Sequence, residues 1–370
     1  AAGIPRRLKL CRLSSAEPGR KPRPDSGSAA LPGVQEPPHP AMQAMPKMTH
    51  LWLRAETKPG EARTALSPAA AERLLAAGVR VTVETSPGAA IGAAEFAAVG
   101  CQVAAAGSWP QAPADAWILG LKELPEAPPT LSHRHIYFGH AYKAQQGWQA
   151  LLDRFDQGGG TLLDLEYLVD EDGRRRAAFG FWAGYVGAAL AAGTWCGRQR
   201  GDEPPLSALH PWTDREELLQ HLREQLRSAG PGQTPSMLVI GARGRVGSGA
   251  TQLAQELGLA VTPWDIEETA AGGPFSDILH HDLFVNAVMI NQPLPPFITP
   301  ELLTAGDKRL SVIADVSCDP YGDYNPVPLY DRCSSLAEPL IRLDGGVDLI
   351  AIDHLPSLLP RESSEDFANQ

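Results

Sequence analysis

The sequence contains few cysteines, and they are widely spaced. The five are Cys11, Cys101, Cys196, Cys318 and Cys333, so no Cys-x-x-Cys pair occurs. An odd number without paired spacing is typical neither of a structural zinc site nor of a disulfide framework. We therefore expect no metal, and reduced thiols in the cytoplasm.

Long apolar runs and clustered basic residues are also missing. The most apolar segment, Phe179–Trp195, is rich in Gly and Ala and falls short of the ~20 residues that a membrane span needs. The net charge of −11 disfavours binding to a phosphate backbone, which relies on clustered Lys and Arg. The sequence therefore predicts a buried helix here, no membrane or nucleic-acid partner, and a small-molecule substrate.

The beginning of the chain differs from the rest. Positions 1–47 are rich in Pro, Gly, Ser and Arg, show no apolar period, and lack the apolar core of a secretory signal. We interpret this segment as a disordered tail, or as sequence translated upstream of the true start, in preference to a targeting peptide.

Beyond this segment, strand patterns alternate with helical patterns. Ser67–Ala77 has the signature of a helix, with Ser67 as N-cap and Pro68 at the first helical position. Asp214–Ser228 is a second such helix, with Thr213 as its expected N-cap. The alternation predicts an α/β fold with parallel sheets flanked by helices, and a length of 370 residues favours two domains.

A glycine-rich turn connects a strand to a helix in the second half of the chain. The strand Met237–Ile240 precedes Gly241–Gly249, and a helix is predicted over Ala250–Leu257. Glycines there permit a tight turn and close approach of the backbone to a pyrophosphate. Asp265, which ends the next strand, would bind ribose hydroxyls and repel a 2′-phosphate. The pattern favours NAD, although Arg245 could meet a 2′-phosphate; the alternative is an ordinary turn and a solvated carboxylate.

Three polar clusters follow strands in the first half of the chain, at Arg54–Arg63, Leu121–Glu123 and Phe138–Lys143. Because ligands bind beyond the carboxyl ends of parallel strands, we expect these clusters to meet in one crevice. A lysine there can have its pKa lowered by burial, and a histidine exchanges protons near neutral pH. Lys122 and His140 are candidate acid–base groups; the alternatives are a surface lysine and a structural histidine.

Several stretches resemble a single enzyme family. They include RAETKPGEARTALSP (54–68), FGHAYKAQQGW (138–148), IGARGRVGSGA (240–250), WDIEETAAGGPF (264–275) and IDHLPSLLPRE (352–362). Together they resemble the NAD-dependent, L-lysine-forming saccharopine dehydrogenases, which are related to alanine dehydrogenase and transhydrogenase. The resemblance begins near Met48 and implies NAD-dependent oxidation of L-saccharopine to L-lysine and 2-oxoglutarate through an imine, a reaction of lysine biosynthesis.

The resemblance also implies the domain arrangement. We expect two Rossmann-like domains with the active site in the cleft between them. The N-terminal substrate and catalytic domain would span 48–178 and be joined by 353–370, and the NAD-binding domain would span 179–352. Fungal relatives suggest a monomer and alanine dehydrogenases a hexamer; a monomer is favoured.

Roles carry over to the positions that match the family. Lys122 would accept a proton and His140 would donate one, with Glu123 and Glu166 as the acids that tune their pKa values. The substrate-contacting positions would be Arg63, Lys143, Gln145, Arg175 and Phe179. The positions around the cofactor would be Arg174, Gly244, Arg245, Asp265, Thr269, Val316, Asp353 and His354. Two alternatives stay open: a related amino-acid or opine dehydrogenase, and a non-catalytic NAD-binding protein.

Overall fold

The computed structural model describes residues 48–141, 147–230, 232–288, 293–304, 307–322 and 324–370. Within these ranges the chain forms two six-stranded sheets with helices around them, which confirms the predicted α/β class. The segment 1–47, predicted to be a tail, lies outside the described residues.

The first sheet is built from the first half of the chain. Its strands are β1 (His50–Leu53), β2 (Arg80–Glu84), β3 (Gln102–Ala104), β4 (Trp117–Leu119), β5 (Arg134–Tyr137) and β6 (Thr161–Asp164). They lie in the order β3-β2-β1-β4-β5-β6, and all neighbours are parallel. Leu53 pairs with Leu119, and Leu119 pairs with Ile136. The carboxyl ends of the central strands are therefore aligned along one edge.

The second sheet follows the same principle. Its strands are β7 (Ser236–Ile240), β8 (Ala260–Trp264), β9 (Leu283–Asn286), β10 (Val312–Asp315), β11 (Ile341–Arg342) and β12 (Asp348–Ile350). The order is β11-β12-β10-β9-β7-β8, and only the short β11 is antiparallel to its neighbour. From β7 the chain goes first to β8 on one side and then to β9 on the other. Dinucleotides bind at such a switch point, beyond the carboxyl ends of the strands.

Nine helices accompany the two sheets in the described ranges. They are α1 (Pro68–Ala76), α2 (Ala93–Ala98), α3 (Trp148–Gly158), α4 (Gly180–Arg200), α5 (Arg215–Ala229), α6 (Arg245–Glu256), α7 (Ile266–Thr269), α8 (Pro300–Leu303) and α9 (Pro360–Asn369). As predicted, Ser67 caps α1, and its hydroxyl accepts from the Ala70 N–H at 3.2 Å.

The apolar segment forms the buried helix α4, which packs closely on α6. A Cβ at Gly184 would lie 1.8 Å from the Val246 carbonyl oxygen, and one at Gly249 would lie 1.9 Å from that of Phe181. The small residues of this segment therefore serve contact between the two helices. In the described part of the chain, no helix has both the length and the apolarity to cross a membrane.

Two helix starts differ from the sequence prediction. The prediction of Thr213 as N-cap is wrong: the Asp214 carboxylate caps α5 and accepts from the Glu217 N–H at 2.9 Å. An ionised carboxylate binds an N–H group more strongly than a hydroxyl does, which favours Asp214 over Thr213 as the cap. The Thr213 N–H donates to the Glu217 carboxylate at 2.7 Å. The helix predicted to begin at Ala250 begins at Arg245, so the glycine turn is shorter than expected.

The last helix, α9, packs against the first half of the chain. Phe367 is buried in the core that contains Leu53 and Val83. The Ser364 hydroxyl accepts from the Thr64 N–H at 2.9 Å, and Arg361 forms an ion pair with Glu95 at 2.9 Å. Residues about 300 positions apart are thus held together.

A buried histidine in β5 gives stability a pH dependence. His135 is fully buried, with its ring centroid 5.1 Å from that of Trp109 and 5.4 Å from that of Phe155. Neither ring nitrogen has a hydrogen-bond partner among the described residues. Burial, with a smaller contribution from the charge of His133, lowers the pKa of His135 to about 3.

We expect the free energy of unfolding to fall as pH drops from about 6.5 towards 3, because only the unfolded chain binds a proton at this histidine in that window. His135→Phe should remove this loss, which amounts to roughly 4 kcal/mol at pH 3. Urea unfolding of both proteins between pH 3 and 8 measures the difference. The exposed His210→Phe serves as control, and parallel pH profiles for wild type and His135→Phe would contradict the expectation.

Candidate active site

The polar clusters of the first half meet at the carboxyl edge of the first sheet. The cluster Arg54–Arg63 follows β1, and Lys122 follows β4 after two residues. His140 follows β5, and Glu166 follows β6 in a short 3-10 turn. Because β1, β4, β5 and β6 are consecutive neighbours in the sheet, the fold brings the three clusters to one edge, as predicted, and adds Glu166 to them.

The backbone of Lys122 is held by a buried acid. The Glu56 carboxylate, whose side chain is 4% exposed, accepts from the N–H groups of Leu121 at 2.7 Å and Lys122 at 2.9 Å. Arg54 lies 3.4 Å from Glu56 and donates to the Lys122 carbonyl oxygen. Burial raises the pKa of Glu56, and the charge of Arg54 opposes that rise. Carboxylate and guanidinium together fix the loop that carries Lys122.

The amine of Lys122 lies in a field of mixed charges. Burial, followed by the positive charge of Arg63, lowers its pKa, and Glu61 opposes this more strongly than Glu123 does. Glu61 binds Arg63 through two contacts, at 2.7 Å and 2.6 Å, and both side chains are almost fully buried. Burial alone would raise the pKa of Glu61, but the hydrogen bonds and charge of Arg63 lower it. Glu123 is more exposed and forms a 3.5 Å ion pair with Lys58.

His140 stands in a strained backbone position beside Glu166. Its φ is +51°, in the left-handed region that non-glycine residues rarely occupy. Its Nδ1 lies 3.7 Å from Glu166 Oε1, and the Arg175 guanidinium lies 3.1 Å from Glu166 Oε2. Glu166 is thus shared between a histidine and an arginine, which suits it to orient both.

Three phenylalanine rings lie between His140 and Arg63, the arginine whose charge acts on Lys122. Phe138 stacks on His140 with centroids 6.1 Å apart, and Phe367 of α9 stacks on Phe179 at 4.6 Å. Phe138 and Phe367 are themselves 5.9 Å apart. The guanidinium of Arg63 lies 4.5 Å from the centre of the Phe179 ring. The rings therefore form a continuous apolar contact between Arg63 and His140.

The glycine turn after β7 has the form of a pyrophosphate cradle. Gly241 has a φ of +86°, and a Cβ at Gly247 would lie 2.1 Å from the Gly241 carbonyl oxygen. Gly244 is the N-cap of α6, and as a glycine it has no side chain that could cap the first turn of that helix. Free N–H groups and the helix dipole favour a bound phosphate there. The residues therefore fit the dinucleotide expected from the sequence.

Asp265 lies at the end of β8, next to the glycine turn. Its carboxylate accepts from the Arg243 N–H at 2.8 Å and caps α7 through the Ile266 N–H at 3.0 Å. Thr269 donates its hydroxyl to the Asp265 carbonyl oxygen at 2.8 Å. The predicted acid thus stands on the side of the turn where a ribose would lie in a Rossmann fold.

Arg245 is engaged with protein groups. Its guanidinium donates to the carbonyl oxygens of Arg175 and Arg176, at 3.2 Å each, and to Gln370 at 3.4 Å. It therefore links the glycine turn to the first half of the chain. Arg174 is an exposed side chain 3.9 Å from Asp172.

Val316, Asp353 and His354 approach from the second sheet. Val316 directly follows β10, and its side chain lies against Gly187. Asp353 accepts a short hydrogen bond from His354. This hydrogen bond lowers the pKa of Asp353, whereas burial raises it. The positive charges of Lys122 and Lys58 lower the pKa of Asp353 further. Asp353 thus lies within electrostatic reach of Lys122.

The structure describes all but two of the predicted site residues. Lys143 and Gln145 lie outside the described residues. Sequence reasoning assigned no role to Glu56, Glu61 or Phe367. Glu56 and Glu61 stand in the quoted stretch after β1, so their position was a usable signal. Nothing local to Phe367 pointed to this site.

Comparisons with known proteins agree with this architecture. Residues 52–186 match the family described as alanine dehydrogenase/PNT, N-terminal domain. A solved L-alanine dehydrogenase superposes with a TM-score of 0.62 at 19% identity, covering 87% of each chain. A transhydrogenase from Sinorhizobium meliloti gives 0.57 at 18% identity, covering 86% of this chain and 90% of that one. These structural likenesses confirm the Rossmann-like fold.

Curated sequences are much closer. The saccharopine dehydrogenase [NAD(+), L-lysine-forming] of Emericella nidulans is 47% identical over 333 residues, which cover 86% of this chain and 89% of that protein. The enzyme of the same name from Schizosaccharomyces pombe is 44% identical over 331 residues, covering 86% and 90%. At this identity and coverage, the chain belongs to the family of NAD(+)-dependent, L-lysine-forming saccharopine dehydrogenases.

Proposed function

We propose that this chain catalyses the reversible, NAD-dependent oxidative deamination of L-saccharopine to L-lysine and 2-oxoglutarate. The observation that carries the proposal is the cluster of charged groups at the carboxyl edge of the first sheet, found in a chain 47% identical to an enzyme named for this reaction. In this chain, residues 48–178 together with 353–370 would form the domain for substrate binding and catalysis. Residues 179–352 would form the NAD-binding domain.

The charges of this cluster suit the substrate. Saccharopine carries three carboxylates, and an arginine can bind a carboxylate through two parallel hydrogen bonds. The guanidinium of Arg63 lies over the Phe179 ring, and that of Arg175 lies over the Phe138 ring. Each is held by an acid, Glu61 or Glu166 respectively, which keeps its guanidinium in place before the substrate arrives.

The cofactor residues fit NAD. Gly244 and the first turn of α6 would hold the pyrophosphate, and Asp265 would accept the ribose hydroxyls. Bound there, NAD would supply a hydride acceptor for the glutaryl α-carbon of saccharopine. Val316, Asp353 and His354 would line the cofactor on its other side.

Proton transfer falls to Lys122 and His140. A neutral Lys122 accepts the proton of the secondary amine, and burial favours that neutral form by lowering its pKa. Water then adds to the imine and gives a proton to His140. The resulting carbinolamine collapses to lysine and 2-oxoglutarate as His140 returns that proton to the departing nitrogen and the hydroxyl proton passes to solvent. Glu166, 3.7 Å from His140 Nδ1, orients the ring for that step.

NADH formation at 340 nm with saccharopine tests the proposal, with alanine and NADP as parallel alternatives. We expect a saccharopine-dependent signal with NAD and a much weaker one with NADP. A signal with alanine or an opine alone would keep the fold and reassign the substrate. NAD binding without turnover of any candidate substrate would favour a non-catalytic protein.

We also propose that the protein works as a monomer in the cytoplasm. The thiols of Cys101 and Cys196 are buried and unbonded, as in a protein of a reducing compartment. Light scattering should give a mass near the 39.5 kDa of the chain, and a mass several times larger would contradict the monomer.

A further inference from the structure

Two thiols meet near the carboxyl end of β10. Cys318 lies three residues after that strand, and Cys333 lies on the segment that leads to β11. The Cys318 thiol donates to Cys333 Sγ at 3.2 Å, and both side chains are partly exposed. Cys101 and Cys196, in contrast, are buried. Among the described cysteines, this pair combines close contact with access from solvent.

The backbone holds each thiol in place. The Cys318 N–H donates to the Asp315 carboxylate at 3.4 Å, and Cys318 has a φ of +47°. Next to Cys333, the Ser334 N–H donates to the Ala351 carbonyl oxygen at 2.8 Å, and the Ala351 N–H donates to the Ser334 hydroxyl oxygen at 3.0 Å. Because a disulfide has a sulfur–sulfur length of about 2 Å, closure needs the sulfurs to approach by only about 1 Å.

We propose that Cys318 and Cys333 form a reversible oxidation site, which closes to an intrachain disulfide with a peroxide and reopens with a thiol reductant. Disulfides in reducing compartments are commonly transient ones of this kind. Cys318 lies two residues after Val316, one of the predicted cofactor positions.

The chemistry is balanced with hydrogen peroxide as oxidant. The Cys333 thiolate attacks one peroxide oxygen, the O–O bond breaks, and Cys333 sulfenic acid and hydroxide form. The Cys318 sulfur then attacks the Cys333 sulfur, so that the S–S bond forms while the S–O bond breaks. Two thiols lose two electrons and two protons in total, and one peroxide becomes two waters.

The order of the two steps follows from the surroundings of Cys318. Burial and the adjacent Cys333 thiol raise its pKa, and the charges of Asp315 and Asp353 act in the same direction. The thiolate is the nucleophile, and the Cys318 thiol donates its hydrogen to Cys333 Sγ. The first attack therefore belongs to Cys333, the acceptor of this contact, and Cys318 resolves the sulfenic acid.

Peptide mapping of the full chain tests the site. The reduced protein is treated with hydrogen peroxide, its remaining thiols are alkylated with iodoacetamide, and the unreduced digest is analysed by mass spectrometry. We expect a peptide pair linked through Cys318 and Cys333, two hydrogens lighter than the reduced pair and lost after dithiothreitol. Cys333→Ser should abolish the link and leave Cys318 open to alkylation, whereas Cys101→Ser should retain it.

Three results would overturn the proposal. The first is full alkylation of Cys318 and Cys333 under conditions in which peroxide has oxidised other cysteines. The second is a disulfide between two chains in place of one within the chain. The third is sulfinic acid at Cys333 without a disulfide to Cys318. Thermal unfolding of Cys333→Ser in the reduced state shows whether that variant is folded, and the Cys101→Ser digest reports the link independently.

Discussion

The double variant Lys122→Met/His140→Gln should lose saccharopine oxidation by a factor of about 10²–10⁴ in kcat, with a small change in the dissociation constant for NAD. General acid–base catalysis contributes about that much, and groups that act in one sequence of steps are not additive. Each single variant should therefore lose nearly as much as the pair. Initial rates of NADH formation, beside NAD titration by fluorescence, measure both quantities.

The pH profile separates a catalytic lysine from a structural one. Only neutral Lys122 accepts a proton, and burial beside Arg63 lowers its pKa. In wild type, kcat/KM should therefore rise with pH and level off below the pH at which an ordinary lysine titrates. This limb should vanish in Lys122→Met. The exposed His210→Gln is the control for His140→Gln, and full activity of the double variant would refute the assignment.

A methyl group at Gly247 should disrupt cofactor binding. The Cβ of Gly247→Ala would lie 2.1 Å from the Gly241 carbonyl oxygen and 2.6 Å from Ala242 Cα, both in the turn that would hold the pyrophosphate. Relief of these clashes moves the turn away from α6 and weakens its N–H contacts with phosphate. The dissociation constant for NAD should rise roughly 10- to 100-fold, which corresponds to the loss of about one charged hydrogen bond.

Two controls distinguish a specific effect on the glycine turn from a general loss of stability through overpacking, which typically costs about 1–3 kcal/mol of folding free energy. Gly88→Ala adds a methyl group where no atom lies within 4 Å, and it should leave NAD binding unchanged. Ser248→Ala removes an exposed hydroxyl that donates to the Arg245 carbonyl oxygen at 2.9 Å in the same helical turn, and it adds no atom to the turn. Thermal unfolding without NAD reports stability separately, and unchanged NAD affinity in a folded Gly247→Ala protein would contradict the cradle.

The sequence by itself determined the fold class, the glycine turn and the polar clusters after the strands. These features are encoded over short windows: alternating apolar patterns mark strands, a serine before a proline starts α1, and glycines recur where the backbone must turn. Parallel strands align their carboxyl ends, so positions alone placed Lys122 and His140 at one edge. The local signal failed at the start of α6, because glycines that permit a turn are equally accommodated in a helix that packs closely on another.

Only the tertiary structure decided which distant groups touch. It placed Glu56 beneath the Lys122 backbone, 66 positions away, and Arg245 on the carbonyl oxygens of Arg175 and Arg176. It also inserted Phe367 between Phe138 and Phe179. No window of sequence contains such pairs, because their formation depends on how sheets, helices and loops pack. The sequence motifs identify which residue types are available for catalysis and cofactor binding. The long-range contacts set their positions and shift the pKa values of Lys122 and Glu56.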